Sequence, residues 1–153
     1  MFSKKRRVGQ ISVEYAMIIG LISFALAIAV SVAFFYSNSA RAQIRMNQVD
    51  KIGNKIIENA DSVYYLGYPS KVTIDLTMPE GVLNINLENS SIPNYIEFEY
   101  KGQGSSTYAI YYTNAKIWET NQPLNDVRFK SPGIKHLKVI ANESGFVQFE
   151  TTY

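Results

Sequence analysis

Cysteine is absent from the 153 residues, so the chain has neither disulfides nor a thiolate ligand for a metal. Histidine occurs once, as His136 in "IKHLKV". A lone imidazole without cysteine partners argues against a zinc site and for a solvated strand residue. A basic surface on the folded part is lacking too. The formal charge is +2, but four of the fifteen cations stand at residues 4–7, leaving eleven against thirteen acids beyond them. Nucleic-acid binding needs the opposite bias on the folded part. There is no glycine-rich phosphate loop and no cofactor motif. No internal repeat or low-complexity tract is present.

The last absence is the most informative. From Tyr15 to Ala40 no residue is charged, and Ala16 to Tyr36 is almost wholly apolar. As a helix, at ~1.5 Å per residue, those residues span roughly 30 Å, the thickness of a bilayer's hydrocarbon core. Polarity returns at Arg41 and Arg45 without a helix breaker. Val49, Ile52, Ile56 and Val63 then continue one apolar stripe. "LGYP" supplies the stop, because Gly67 suits the C′ position and Pro69 cannot continue a helix. The pattern predicts one helix from about Gln10 to Leu66, ~85 Å long, with Gly20 and Gly53 as points where it bends.

Beyond Pro69 the period changes to two. "KVTIDLTM" and "VLNINLE" alternate on either side of the turn "PEG". Further strands are expected at Tyr95–Lys101, Thr107–Thr113, Asp126–Lys130, Lys135–Ala141 and Phe146–Thr151. They are separated by the turn sequences "GQGSS", "SPG" and "NESG". The fold class expected is α+β: a long N-terminal helix with an apolar first half, then an antiparallel β-sandwich-like domain or a curled sheet over 70–153.

The junction "KKRRVGQISVEY" carries a more specific signal. A basic start before an apolar run fits a secretory signal or a plain anchor, although the run exceeds the 7–15 residues of a signal peptide's apolar region. Ala40-Arg41-Ala42 offers a cleavage site before Gln43. Yet "GQISVEY" also matches the Q-x-S-x-E-[YF] pattern and in this resembles archaeal type IV pilin-like proteins with a class III signal peptide. Gln10 replaces the phenylalanine usual in bacterial pilins, and the glycine-rich start of archaellins is missing, so the resemblance is to an adhesive pilus subunit. The motif covers residues 4 to about 36; the β domain resembles such pilins only in general plan.

The resemblance implies a leader at 1–9, a filament-core helix at 10–36, its amphipathic continuation at 37–66 and a β head. It implies cleavage between Gly9 and Gln10 by a membrane prepilin peptidase that reads Ser12 and Glu14. It also implies residence in the membrane before assembly, then addition to copies of itself or related pilins by an assembly platform and its ATPase. No catalytic residue, metal or cofactor is implied. The physics is compatible. Four cations hold the N-terminus inside, each by ~1 kcal/mol against an anionic leaflet, so their removal loosens the anchor by about 4 kcal/mol.

Glu14 is a costly residue at the mouth of an apolar helix. One reading pairs it with the new α-amine of Gln10 in a neighbouring subunit, the role given to this glutamate in related pilins. The other places it in the headgroup layer as an acid favoured by the helix dipole. Ser23, Ala27 and Ser31 form one small-residue ridge, and Ala25, Ala29 and Ala33 another nearly opposite. Such ridges allow close helix approach in lipid.

Other candidates have bland readings beside them. Glu97 and Glu99 share one strand face and read as solvated rather than as a glycosidase pair. Asp126, His136 and Ser144 read as common residues in chance order rather than a triad. Tyr108, Tyr111, Tyr112 and Trp118 form a candidate sticky patch, with about half of them expected in the core. Asn89 and Asn142 head N-x-S sequons in expected turns, which makes them candidate glycosylation sites if the domain is exported. The rival to a pilus subunit is a membrane-anchored or secreted β domain that binds a ligand and does not polymerise.

Overall fold

A computed structural model of the protein describes residues 5–89, 93–102, 104–118 and 123–152, with side chains from Val13 onward except at 123 and 152. Two compact units divide it, Met1–Ala40 and Arg41–Tyr153. Helix α1 spans Lys5–Leu66 without interruption at Gly20 or Gly53. It already includes Lys5 to Gly9, ahead of the expected Gln10, because Lys and Arg are good helix formers and a single glycine at 9 does not stop it. Its end falls as the sequence predicts. Gly67 adopts φ 69° and its N–H bonds the Val63 carbonyl at 3.1 Å, the αL closure of a helix C-terminus. The Tyr68–Pro69 peptide that follows is cis.

Among the described residues six strands follow: β1 (Lys71–Met78), β2 (Val82–Glu88), β3 (Asn94–Lys101), β4 (Ser106–Thr113), β5 (Gly133–Ala141) and β6 (Val147–Thr152). They form two antiparallel sheets of three, ordered β1-β5-β6 and β2-β3-β4. The α+β class therefore stands, with the strands in two small sheets rather than one curled sheet. The "PEG" turn does not close a hairpin. Gly81, at φ 89°, carries the chain from one sheet into the other.

The strand expected at Asp126–Lys130 is instead helical: a 3-10 turn at Pro123–Asn125, then α2 at Val127–Lys130. Asp126 caps α2 by accepting the Arg128 N–H at 2.7 Å. Ser131, pushed to an extended conformation by the proline after it, ends it. Five residues of alternating polarity are too few to distinguish a strand from one helical turn, and the local cap decides.

One core fills the second unit. Val49, Ile52, Ile56, Ala60 and Val63 of α1 meet Leu76, Ile85, Phe98, Leu137, Phe149 and their neighbours, with Ile117, Leu124 and Phe129 from the β4–β5 segment. Burying the four larger helix residues is worth ~1.5–3 kcal/mol each before entropy is charged, so packing rather than propensity fixes this half of the helix.

Candidate functional site

The first unit has no core of its own. Every described side chain from Val13 to Asn38 is exposed, with Met17 at 71% and Phe34 at 68%. The stretch is long and apolar enough to cross a membrane, and none of its most apolar window is buried. A core helix of a water-soluble domain would bury this surface. An N-terminal helix of this kind is associated with a membrane.

Glu14 lies at the start of this stretch with its side chain exposed. Gly9 and Gln10, the expected processing site, and Ser12 lie in helical backbone, but their side chains fall outside the described residues, as does the leader's start at 1–4. Ser23, Ala25, Ala27, Ala29, Ser31 and Ala33 are all exposed. The Ser31 hydroxyl donates to the Ala27 carbonyl at 2.8 Å, which satisfies its polar atom within the helix. At Ser31 the ridge can thus face lipid or another helix without an unpaired hydroxyl. Cleavage before Gln43 would fall within α1 and leave the buried stripe from Val49 intact.

In the second unit, polar residues beside the buried stripe tie α1 to the sheets. Arg45 Nε donates to the Glu80 carbonyl at 2.6 Å, and its Nη1 donates to the Lys101 carbonyl. Tyr111 donates its hydroxyl to Asp50 Oδ1 at 2.5 Å. The Tyr111 ring lies so close to Gly53 that a Cβ there would come within 2.3 Å of it. Burial, and then the Asp50 carboxylate, push the Tyr111 phenol above its usual range; burial also raises Tyr100. Asp61 Oδ1 accepts from the Thr113 hydroxyl at 2.6 Å and from the Asn114 and Ala115 N–H groups. Sequence reasoning missed these anchors. Arg45, Asp50 and Asp61 flank the apolar stripe, but no local pattern names their partners 35 to 61 residues away.

The remaining candidates have local partners. His136 Nδ1 is 2.6 Å from Asp75, its cross-strand neighbour, and both are exposed. Asp126 is occupied as the α2 cap, and Ser144 lies in the β5–β6 turn, so the two do not join His136. Among the described residues no cluster of three potential metal ligands occurs. Glu97 accepts from Asn86 Nδ2 at 3.2 Å, and Glu99 lies 3.5 Å from the Tyr108 hydroxyl. Both glutamates face away from the buried Ile96, Phe98 and Tyr100, as alternation requires. Of the four aromatics, only Tyr111 packs against the core; Tyr108, Tyr112 and Trp118 are exposed.

The two sequons differ. Asn142 Oδ1 accepts the N–H groups of Ser144 and Phe146 in an exposed turn. Asn89 is half-buried, with its Nδ2 3.3 Å from the Ile117 carbonyl, and its Ser90 and Ser91 lie outside the described residues. No protein-family model, curated protein or solved structure matches the chain.

Proposed function

We propose that the chain is the structural subunit of an archaeal type IV pilus. In this reading it is made as a prepilin, cut between Gly9 and Gln10, and assembled through its apolar helix into an extracellular adhesive filament. One observation carries the reading: the helical stretch from Val13 to Tyr36 is apolar and wholly exposed, and it is entered through Q-x-S-x-E-Y. A plain anchor needs the apolar length but has no use for an acid at its mouth. A subunit that is first held in the membrane and then extracted needs both, together with a removable basic leader. The partners are then the prepilin peptidase, the platform and ATPase, and neighbouring subunits. Asn142 is the better placed of the two sequons for glycosylation, because its bonds use Oδ1 and leave the amide nitrogen, whereas Asn89 Nδ2 donates to the Ile117 carbonyl.

The mature N-terminus tests the reading. Mass spectrometry of the membrane and extracellular fractions should find Gln10 as the first residue, in filaments visible by electron microscopy. Gln43 would instead mark a secreted β domain, and an intact Met1 a plain anchor. Gly9→Leu should leave uncut precursor in the membrane, and normal cutting of that variant would count against the peptidase.

A further inference from the structure

The two sheets present different outer surfaces. On β1-β5-β6 the outward charges are paired, Asp75 with His136 and Lys138 with Glu150 at 3.0 Å, beside the exposed Ile134. On β2-β3-β4 the outward acids Glu97 and Glu99 have no such partner. Tyr108 (57% exposed), Ile110 and Tyr112 (61%) stand outward on β4, beside Glu97 and Glu99 of β3, and Tyr95 packs edge-on against Tyr112. Neither glutamate has a cation within ion-pair distance among the described residues. At two-residue spacing on one strand their carboxylates are ~7 Å apart. The second unit thus exposes a tyrosine- and isoleucine-bearing face with two glutamates that have no ion-pair partner among the described residues, and with Lys101 two residues beyond Glu99 on the same side of β3.

The same unit exposes a surface of complementary chemistry. Arg41, Ile44, Gln48, Lys51 and Lys55 recur at three- and four-residue spacing along one exposed flank of α1, apart from the buried Val49–Val63 stripe. Arg41 and Lys51 make no hydrogen bond or ion pair among the described residues. Lys55 reaches only a neutral acceptor, the Asp75 carbonyl at 2.8 Å. Lys51 and Lys55 lie one helical turn apart, ~6 Å along the axis, which matches the glutamate spacing.

We propose that the outward face of β2-β3-β4 docks on the Arg41–Lys55 flank of α1 in a second copy of this chain. Glu97 and Glu99 receive Lys51 and Lys55, Ile44, about 10 Å further along the helix, falls beside Tyr95 and Tyr112, and the tyrosine faces lie beside the cations. The two surfaces are different, so the contact is head-to-tail and each copy keeps one of each free, the kind of contact that propagates. The proposal rests on the filament reading, since apolar helices bundled in a filament hold the heads at high local concentration. It adds a specific head-to-shaft contact to helix bundling.

Charge exchange tests it in cells that assemble the wild-type chain. Glu97→Lys with Glu99→Lys should lower filament abundance roughly tenfold, because like charges then face one another. Lys51→Glu with Lys55→Glu should do the same, and all four substitutions together should return filaments to within about twofold of wild type. Glu97 is half-buried and bonded by Asn86, and Lys55 holds the Asp75 carbonyl, so if the melting curve of the head moves in either pair, Glu99→Lys and Lys51→Glu alone, which keep both bonds, serve as the same test. Filaments at wild-type abundance in either pair overturn the contact and leave the filament reading standing. Loss without recovery in the fourfold variant also overturns it, pointing to a foreign cationic partner. A wild-type chain that keeps Met1 and forms no filament removes the filament reading and this contact together.

Discussion

At the scale of single residues, the head is held to its helix by contacts with little spare room. Gly53 is the tightest. A methyl group added there meets the Tyr111 ring at 2.3 Å, and that ring is fixed by its bond to Asp50 and by edge-on packing on Phe98. Gly53→Ala gains ~1 kcal/mol of helix propensity, but overpacking costs about 1–3 kcal/mol and displacing the ring loses the Asp50 hydrogen bond as well. The net effect should be destabilising, seen as a fall of several degrees in the thermal unfolding midpoint. Tyr111 also sets an alkaline limit. Its folded-state pKa lies above the ordinary value of 10.0, chiefly through burial. Its contribution is therefore fully present below pH 10 and declines above it, where the unfolded chain releases the proton and the folded one retains it. Tyr111→Phe should make stability fall less steeply above pH 10 in urea unfolding series. An unchanged slope would place the alkaline loss elsewhere, with Tyr100 the next group to test.

At the scale of elements, α1 has two regimes in one helix. From Val49 to Val63 a stripe is buried by the head; from Val13 to Asn38 nothing is. If helix bundling uses the small-residue ridges, Ala27→Leu and Ala29→Leu should each remain in the membrane, because leucine is the more apolar residue. Each should reduce filaments roughly tenfold by holding neighbouring backbones apart. Leu26→Ala, off both ridges, should have a smaller effect, and equal filament counts for all three would dismiss the ridges. The helix, its stop at Gly67 and the alternation of β1 and β3 were legible in the sequence because each is a short-range pattern of polarity and backbone chemistry; in β2 the expected face of Leu83, Ile85 and Leu87 is broken by a bulge that buries Val82 and exposes Leu83. The partition into two sheets was not legible, since β1 and β2 are joined by a tight turn yet pair with β5 and β3. That choice depends on long-range packing. Nor was α2, where Asp126 as a cap outweighs alternation. The candidate site was legible as a motif at residues 9–15, whereas the anchors at Arg45, Asp50 and Asp61 required the fold.

At the scale of the whole molecule, the proposed function demands that one helix be acceptable in two surroundings, a bilayer and a bundle of its own kind, and Glu14 is where the two demands differ. In the bilayer, alanine at 14 is more favourable than glutamate, so Glu14→Ala should insert and be cut at Gly9 as wild type is. In the bundle the acid receives the α-amine of an incoming Gln10, and its removal leaves a buried cation unpaired, which costs about 3–5 kcal/mol. The penalty falls on subunit addition alone. Processed monomer should therefore accumulate in membranes while filaments become rare, a separation that western blots and electron microscopy of the same culture would read directly. Glu14→Gln sharpens the test, because it keeps the size and a hydrogen-bonding carbonyl and loses only the charge. An ionic latch predicts that glutamine behaves like alanine, whereas a neutral hydrogen bond predicts that it assembles like wild type. The state of the first residue adds an independent check. If mass spectrometry finds Gln10 cyclised, there is no amine to receive, and filaments should then tolerate Glu14→Gln. An uncyclised Gln10 together with full assembly of the glutamine variant leaves the latch without support and returns Glu14 to the headgroup layer, as an acid held there by the dipole of its own helix.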